Sequence, residues 1–176
     1  MSFNPAEIAL HGRHLIEASA GTGKTYSIAN MFLRFLLEPH PSHNNQQPLT
    51  IDQILVVTFT NAATDELRGR IRSKIEQALQ YFRGGCCDDE FIKQYSAEGF
   101  NVDDAKRVAC ARLHNALLLV DDAAIFTIHG FAARAMQMFL FETGALANAE
   151  VQIGGSDSEA RYFDDLVRIL ALGEHR

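Results

Sequence analysis

Residues 18–25, ASAGTGKT, are the stretch on which the fold turns: Ala18, Ser19, Ala20, Gly21, Thr22, Gly23, Lys24 and Thr25. Their spacing is G-x-x-x-x-G-K-[ST] with alanine in place of the first glycine. Glycines at 21 and 23 let backbone N–H groups turn inward with no Cβ in the way, which makes a nest for an anion. A helix starting near Lys24 adds the positive end of its dipole, and Lys24 adds a point charge suited to the outer phosphates of a triphosphate such as ATP. Thr25 carries its hydroxyl one residue further on, where it can ligate Mg²⁺. The pattern requires an apolar strand before it and an amphipathic helix after it.

Both are legible. Arg13–Ala18, RHLIEA, reads as a short buried strand feeding the loop. From Lys24 to Leu37 the residues Ile28, Phe32, Leu33, Phe35 and Leu36 recur at helical spacing, stopped by Glu38-Pro39. Residues 39–48 are polar and proline-bounded, a surface loop. Gln53–Thr60, QILVVTFT, is β-branched and too short for a helix; it predicts a central parallel strand buried on both faces. A long helix follows over Ala62–Phe82, closed by Gly84-Gly85. Another helix is predicted over Asp103–Leu119, a third strand over Ala123–His129 and a helix over Gly130–Phe141. Strands alternating with helices mean an α/β fold with a parallel sheet covered by helices. Beyond Gly144 the pattern weakens: Gly154-Gly155-Ser156 reads as a joint and Glu159–Leu172 as a short helix. Residues 1–145 therefore read as the main domain and 146–176 as the start of another.

Composition bounds the rest. The 176 residues carry 16 Lys and Arg against 22 Asp and Glu, a net charge of −6, which argues against a surface that coats duplex nucleic acid throughout. A local basic stripe is still compatible: Arg68 and Arg72 share one face of the second helix, Arg70 and Lys74 another, and Asp65, Glu66 and Glu76 nearby favour a solvated, charge-laced face. Cys86, Cys87 and Cys110 have neither disulfide-framework nor zinc spacing and read as free thiols of a reducing cytoplasm. No leader pattern opens the chain, and no apolar run nears the roughly 18 residues of a membrane span. The pair Asp121-Asp122 has the look of a magnesium-holding motif at a strand end. However, a strand before it would be joined to the strand at 123 by two residues, forcing a hairpin, so the pair reads as a solvated turn after a helix.

Three segments together resemble the first motor domain of UvrD/Rep-type superfamily 1 DNA helicases. Ala18–Thr25 follows that family's A-x-A-G-[ST]-G-K-T form, alanine included. Thr58-Phe59-Thr60-Asn61-Ala62-Ala63 follows its T-x-T-N-x-A-A segment, with Thr64 at the place of the last alanine, and Ile125-Phe126-Thr127-Ile128-His129-Gly130-Phe131 looks like its third short motif. The strings LIEASAGTGKT, ILVVTFTNAATDELRGRIR and IFTIHGF are similar to the helicase–nuclease branch of the family, over roughly residues 13 to 145. Ala132-Ala133 departs from the Cys-Gln often found there, and no glutamine-based adenine-reading motif precedes Leu15.

The resemblance implies a RecA-like P-loop domain, incomplete within this chain, with the start of an inserted helical subdomain at 146–176. It implies a parent enzyme that couples ATP hydrolysis, with Mg²⁺, to movement on single-stranded DNA. That enzyme would act at duplex ends in break repair and recombination, in a cytoplasmic complex with two further subunits. Residues 18–25 would hold ATP, Lys24 and Thr25 would be catalytic, and Phe59, Thr60, Asn61, Thr127 and His129 would contact DNA. The acidic Asp-Glu pair, the second motor domain and the nuclease would follow Arg176, and these residues alone would be inactive. Apart from the resemblance, two readings stay open. One is a self-contained P-loop kinase using Asp121 and Asp122; the other is a module that binds DNA or a partner without hydrolysis. For Asn61, helix capping stands beside DNA contact, and for His129 a hydrogen-bonded core role does.

Overall fold

A computed structural model describes residues 4–17, 21, 23–40, 47–100 and 102–143. In chain order the elements are α1 (Lys24–Leu37), β1 (Val56–Thr58), α2 (Asn61–Phe82), α3 (Glu90–Gly99), α4 (Asp103–Leu118), β2 (Ile125–Thr127) and α5 (Ile128–Thr143). Single 3-10 turns occupy Ile51–Gln53 and Val120–Asp122. The chain divides into two compact units, Met1–Phe131 and Ala132–Arg176, with the division inside α5.

Helix α2 lies at the centre of the first unit, packed against α1 and α4 and against both strands. Its stripe of Leu67, Ile71, Ile75, Ala78, Leu79 and Phe82 is buried, as the 3.6-residue period requires. It meets Ala29, Phe32, Leu33, Leu36 and Leu37 of α1 and Ala109, Leu113 and Ala116 of α4 in one core. Each large side chain taken fully out of water there contributes about 1.5–3 kcal/mol. The predicted stops hold. Helix α1 ends before Glu38-Pro39, and Gly84, at φ 90°, and Gly85 close α2 with bonds to Tyr81 O and Gln80 O.

Strands β1 and β2 pair in parallel, Val56 opposite Ile125, Val57 opposite Phe126 and Thr58 opposite Thr127. The parallel pairing expected from the sequence is present, but three details differ. First, β1 is shorter than residues 53–60 and is not buried on both faces: Leu55 and Val57 are 47% and 42% exposed. Helix α2 packs on the strand pair, and among the described residues only these two strands form the sheet, so the face turned away from α2 is open. Second, residues 13–17 form no strand, and Leu15 is 87% exposed. A strand exists only through pairing, and among the described residues no strand lies beside this run. Third, β2 ends at Thr127 and helix begins at Ile128, because Thr127 itself supplies the helix cap.

Two tethers were not legible. The buried guanidinium of Arg34 donates to Pro5 O and Ile8 O at 2.7 Å each and to both carboxylate oxygens of Glu38, strapping the N-terminal segment onto α1 with its charge fully matched. Helix α3, absent from the sequence reading, starts where the Asp89 carboxylate accepts the Ile92 N–H at 3.1 Å, and Phe91 and Ile92 anchor it in the core. The predicted loop at 41–46, the joint at 154–156, the helix at 159–172 and the domain boundary at 145 lie outside the described residues.

Gly69 sits mid-helix in α2, exposed, with nothing within 4 Å of where a Cβ would stand. Gly69→Ala should raise stability by about 0.5–1 kcal/mol, read as a higher denaturation midpoint at unchanged slope.

Candidate functional site

Helix α1 opens unlike the helices that follow the strands. Its N-cap is Gly23, left-handed at φ 84° and ψ 25°, with no side chain to accept a first-turn N–H. No acidic residue stands in the first turn, and the first helical residue is the cation Lys24. A positive side chain at the positive end of a helix dipole is unfavourable unless an anion joins it. Gly21 is also left-handed, at φ 79°, in an exposed turn. Lys24 is exposed and Thr25 half-buried, both in the opening turn. Ala18, Ser19, Ala20 and Thr22 lie outside the described residues. The donor set fits a triphosphate with its metal: first-turn N–H groups that the N-cap residue does not itself cap, a cation, and a hydroxyl next to it.

The helices after the strands cap themselves. Thr60 is the N-cap of α2, and its Oγ1 accepts the Ala63 N–H at 3.1 Å. The cap is thus Thr60, and Asn61, weighed above as a cap, is instead the exposed first helical residue. Thr127 repeats the arrangement at α5, accepting the Gly130 N–H at 3.1 Å. The approach there is tight, since a Cβ on Gly130 would come within 3.2 Å of that hydroxyl. Behind Thr60, the Thr58 and Thr64 hydroxyls lie 2.6 Å apart and each 3.1 Å from Thr60 O, so one donates to the other, which in turn donates to that carbonyl. A capping hydroxyl spends a lone pair and keeps its proton, so it can still donate outward.

Because β1 and β2 are parallel, Phe59, Thr60, Asn61, Thr127 and His129 all lie at the carboxyl edge of the pair. Phe59 is 87% exposed beyond β1. His129 is exposed in the first turn of α5 rather than at a strand end, which disposes of a core role for its ring.

The Asp121-Asp122 turn precedes β2 and so lies at the opposite edge, where Asp121 pairs with Arg72 at 2.5 Å. That hydrogen bond holds the Asp121 carboxyl below its usual range. The basic stripe is largely spent on such bonds: Arg70 pairs with Glu66 at 2.9 Å, and Arg68 donates to Ile125 O at 3.2 Å. Lys74 departs from the solvated face expected of it and is buried. It pairs with Asp89 at 2.5 Å and sits 4.3 Å above the Tyr26 ring. Burial pushes its ammonium below the usual lysine range despite Asp89. Burial raises Asp89, but bonds from Lys74 and the Ile92 N–H outweigh it, leaving that carboxyl below its ordinary value.

Two sets of residues are therefore gathered separately. The strand-end set surrounds the start of α2, whereas α1 begins beside Lys74. From Asn61 to Lys74 the axis of α2 runs about 20 Å.

The family described as UvrD/REP helicase N-terminal domain matches residues 3–171. Among curated proteins, the chain is similar to RecBCD enzyme subunit RecB of Escherichia coli (strain K12), 43% identical over 161 residues, covering 92% of this chain and 13% of that protein. It is 37% identical over 174 residues to the subunit of the same name from Haemophilus influenzae, covering 94% and 14%. The Mycobacterium tuberculosis subunit is 30% identical over 151 residues, covering 86% and 13%. The chain thus spans about an eighth to a seventh of the length of these relatives.

Thr60→Ala should cost about 1 kcal/mol through loss of the cap, with Thr60→Ser restoring most of it in denaturant titrations. The acid limb of stability tests the Lys74–Asp89 pair. A carboxyl depressed in the folded state adds stability above its unfolded pKa, and that gain fades as pH falls through the folded value. Asp89→Asn keeps the α3 cap but should lower stability at neutral pH, with the gap to the parent narrowing below about pH 4.

Proposed function

The chain belongs to the UvrD/REP helicase N-terminal domain family, and from that premise we propose that it forms the ATP-binding part of the first motor domain of a DNA helicase–exonuclease subunit. The names of its relatives support membership of a RecBCD enzyme, with RecC and RecD as partners; on our reading the parent would work at duplex DNA ends, in the cytoplasm, as an exodeoxyribonuclease V that repairs double-strand breaks and feeds recombination. The fold of the family is RecA-like, with a parallel sheet carrying P-loop chemistry.

One observation carries the nucleotide reading: α1 starts with a left-handed glycine, which offers no capping side chain of its own, and a lysine, with no acidic residue in its first turn. In the proposed mechanism, residues 18–23 wrap the phosphates through backbone N–H groups. Lys24 neutralises charge building on the γ-phosphate as water attacks in line. Thr25 would hold Mg²⁺ through its hydroxyl, and the ion would supply charge neutralisation to the phosphates. Thr60, Asn61, Thr127 and His129 would donate to the phosphates of single-stranded DNA and Phe59 would stack on a base, the mixture of contacts by which such strands are held without regard to sequence. Hydrolysis would alternately tighten and release that grip as the two motor domains close and open. Residues 146–176 would begin the inserted helical subdomain, and the 176 residues by themselves would bind nucleotide weakly and turn none over.

Lys24→Ala in the full-length protein should reduce DNA-stimulated ATP turnover by roughly two orders of magnitude or more and abolish unwinding, while the thermal midpoint stays near that of the parent because Lys24 is exposed. Unwinding that survives the substitution would refute the assignment.

A further inference from the structure

We propose that Tyr26, Lys74 and Asp89 form a positioning clamp that holds the phosphate-binding turn of α1 in its binding shape from behind. The proposal rests on the nucleotide reading above and adds three residues to it.

Tyr26 is the third residue of α1. Its backbone N–H belongs to the opening turn that is to face the phosphates, while its side chain points into a junction of three helices. There the hydroxyl donates to Asp89 Oδ1 at 3.3 Å, and the ring lies under the Lys74 ammonium at 4.3 Å. Lys74 comes from the middle of α2, with its side chain only 6% exposed, and donates to Asp89 Oδ2 at 2.5 Å. Phe91 of α3 flanks the same ammonium at 5.8 Å. Asp89 is fixed in turn as the α3 cap. One carboxylate thus ties together the start of α1, the middle of α2 and the start of α3.

The turn needs such a tie. Gly23 brings backbone freedom and no capping side chain, and the Ser27 N–H bond to Gly23 O at 2.8 Å is a backbone contact that leaves the shape of the glycine-rich turn to be fixed from elsewhere. A turn of that kind samples other shapes, and its affinity for an anion falls in proportion to the time it spends in them. Lys74 and Asp89 have side chains only 6% and 12% exposed, under a Tyr26 ring that is itself 41% exposed, and a cation held between an aromatic face and a carboxylate is a directional anchor. Tyr26 is also near enough to the nest to transmit it, since its Cβ is 4.0 Å from where a Cβ on Gly23 would stand. No clamp side chain is among those assigned to the nucleotide, so its loss should weaken binding of ground state and transition state alike. That raises KM and leaves kcat in place.

The test is steady-state ATPase of the full-length protein with saturating single-stranded DNA, beside fluorescent ATP-analogue binding. Asp89→Asn, which keeps the α3 cap, and Lys74→Met should each raise KM for ATP about 3–10-fold with kcat within about twofold. The double variant should be no worse than the singles, because they break one unit. Lys74→Arg should recover most of the affinity, and affinity for DNA should not move. Unchanged KM in both single variants would overturn the clamp, as would kcat falling in step with the fraction of folded protein. If the unsubstituted protein fails to bind ATP at all, the nucleotide reading falls, and the clamp with it.

Discussion

A helix leaves the N–H groups of its first turn in search of acceptors, and the way each helix here meets that demand sorts the molecule. Helices α2 and α5 answer with Thr60 and Thr127, and α3 with Asp89. Helix α4 brings Asp103 and Asp104 into its first turn. Helix α1 has a glycine cap, which brings no side-chain acceptor, and a lysine, which adds positive charge to the same end. Such a start is poor design for stability and good design for an anion, and the proposed ATP site follows from that contrast.

Helix α2 relates this start to the rest. Its first turn rises from the carboxyl edge of β1, its buried stripe carries the core, and its middle supplies Lys74 to the junction beneath Tyr26. On the reading proposed, nucleotide and DNA would touch the same rigid element at points about 20 Å apart along its axis. Such an element can carry strain between two ligands without either touching the other. The arginines on its exposed side secure the opposite edge of the sheet, Arg72 through Asp121 and Arg68 through Ile125 O. Their charge is therefore committed to holding the strands in place.

Local signals were legible and partnership was not. The glycines at 21 and 23, the Glu38-Pro39 stop, the Gly84-Gly85 closure and the stripe from Leu67 to Phe82 act within one turn of chain, and the sequence states them outright. The parallel pairing of Val56 with Ile125 followed from the alternation of strands and helices. Strand extent did not, because a run such as RHLIEA becomes a strand only beside a neighbour that its own residues do not specify. Lys74 was misjudged for the same reason: its burial depends on Asp89 and Tyr26, distant in sequence and brought near by packing. Helix α3 carried a visible sign, Asp89 followed by the apolar pair Phe91-Ile92. Of the candidate site, the residue types were readable, but not that two threonines would serve as caps, nor that His129 would fall within a helix.

Hydrogen–deuterium exchange on the full-length protein tests the central claim most directly. A non-hydrolysable ATP analogue with Mg²⁺ should slow exchange of the Gly23–Tyr26 amides and leave Ala62–Ala63 unchanged. Single-stranded DNA should do the reverse. An analogue that binds yet leaves the opening turn of α1 exchanging as before would contradict the account.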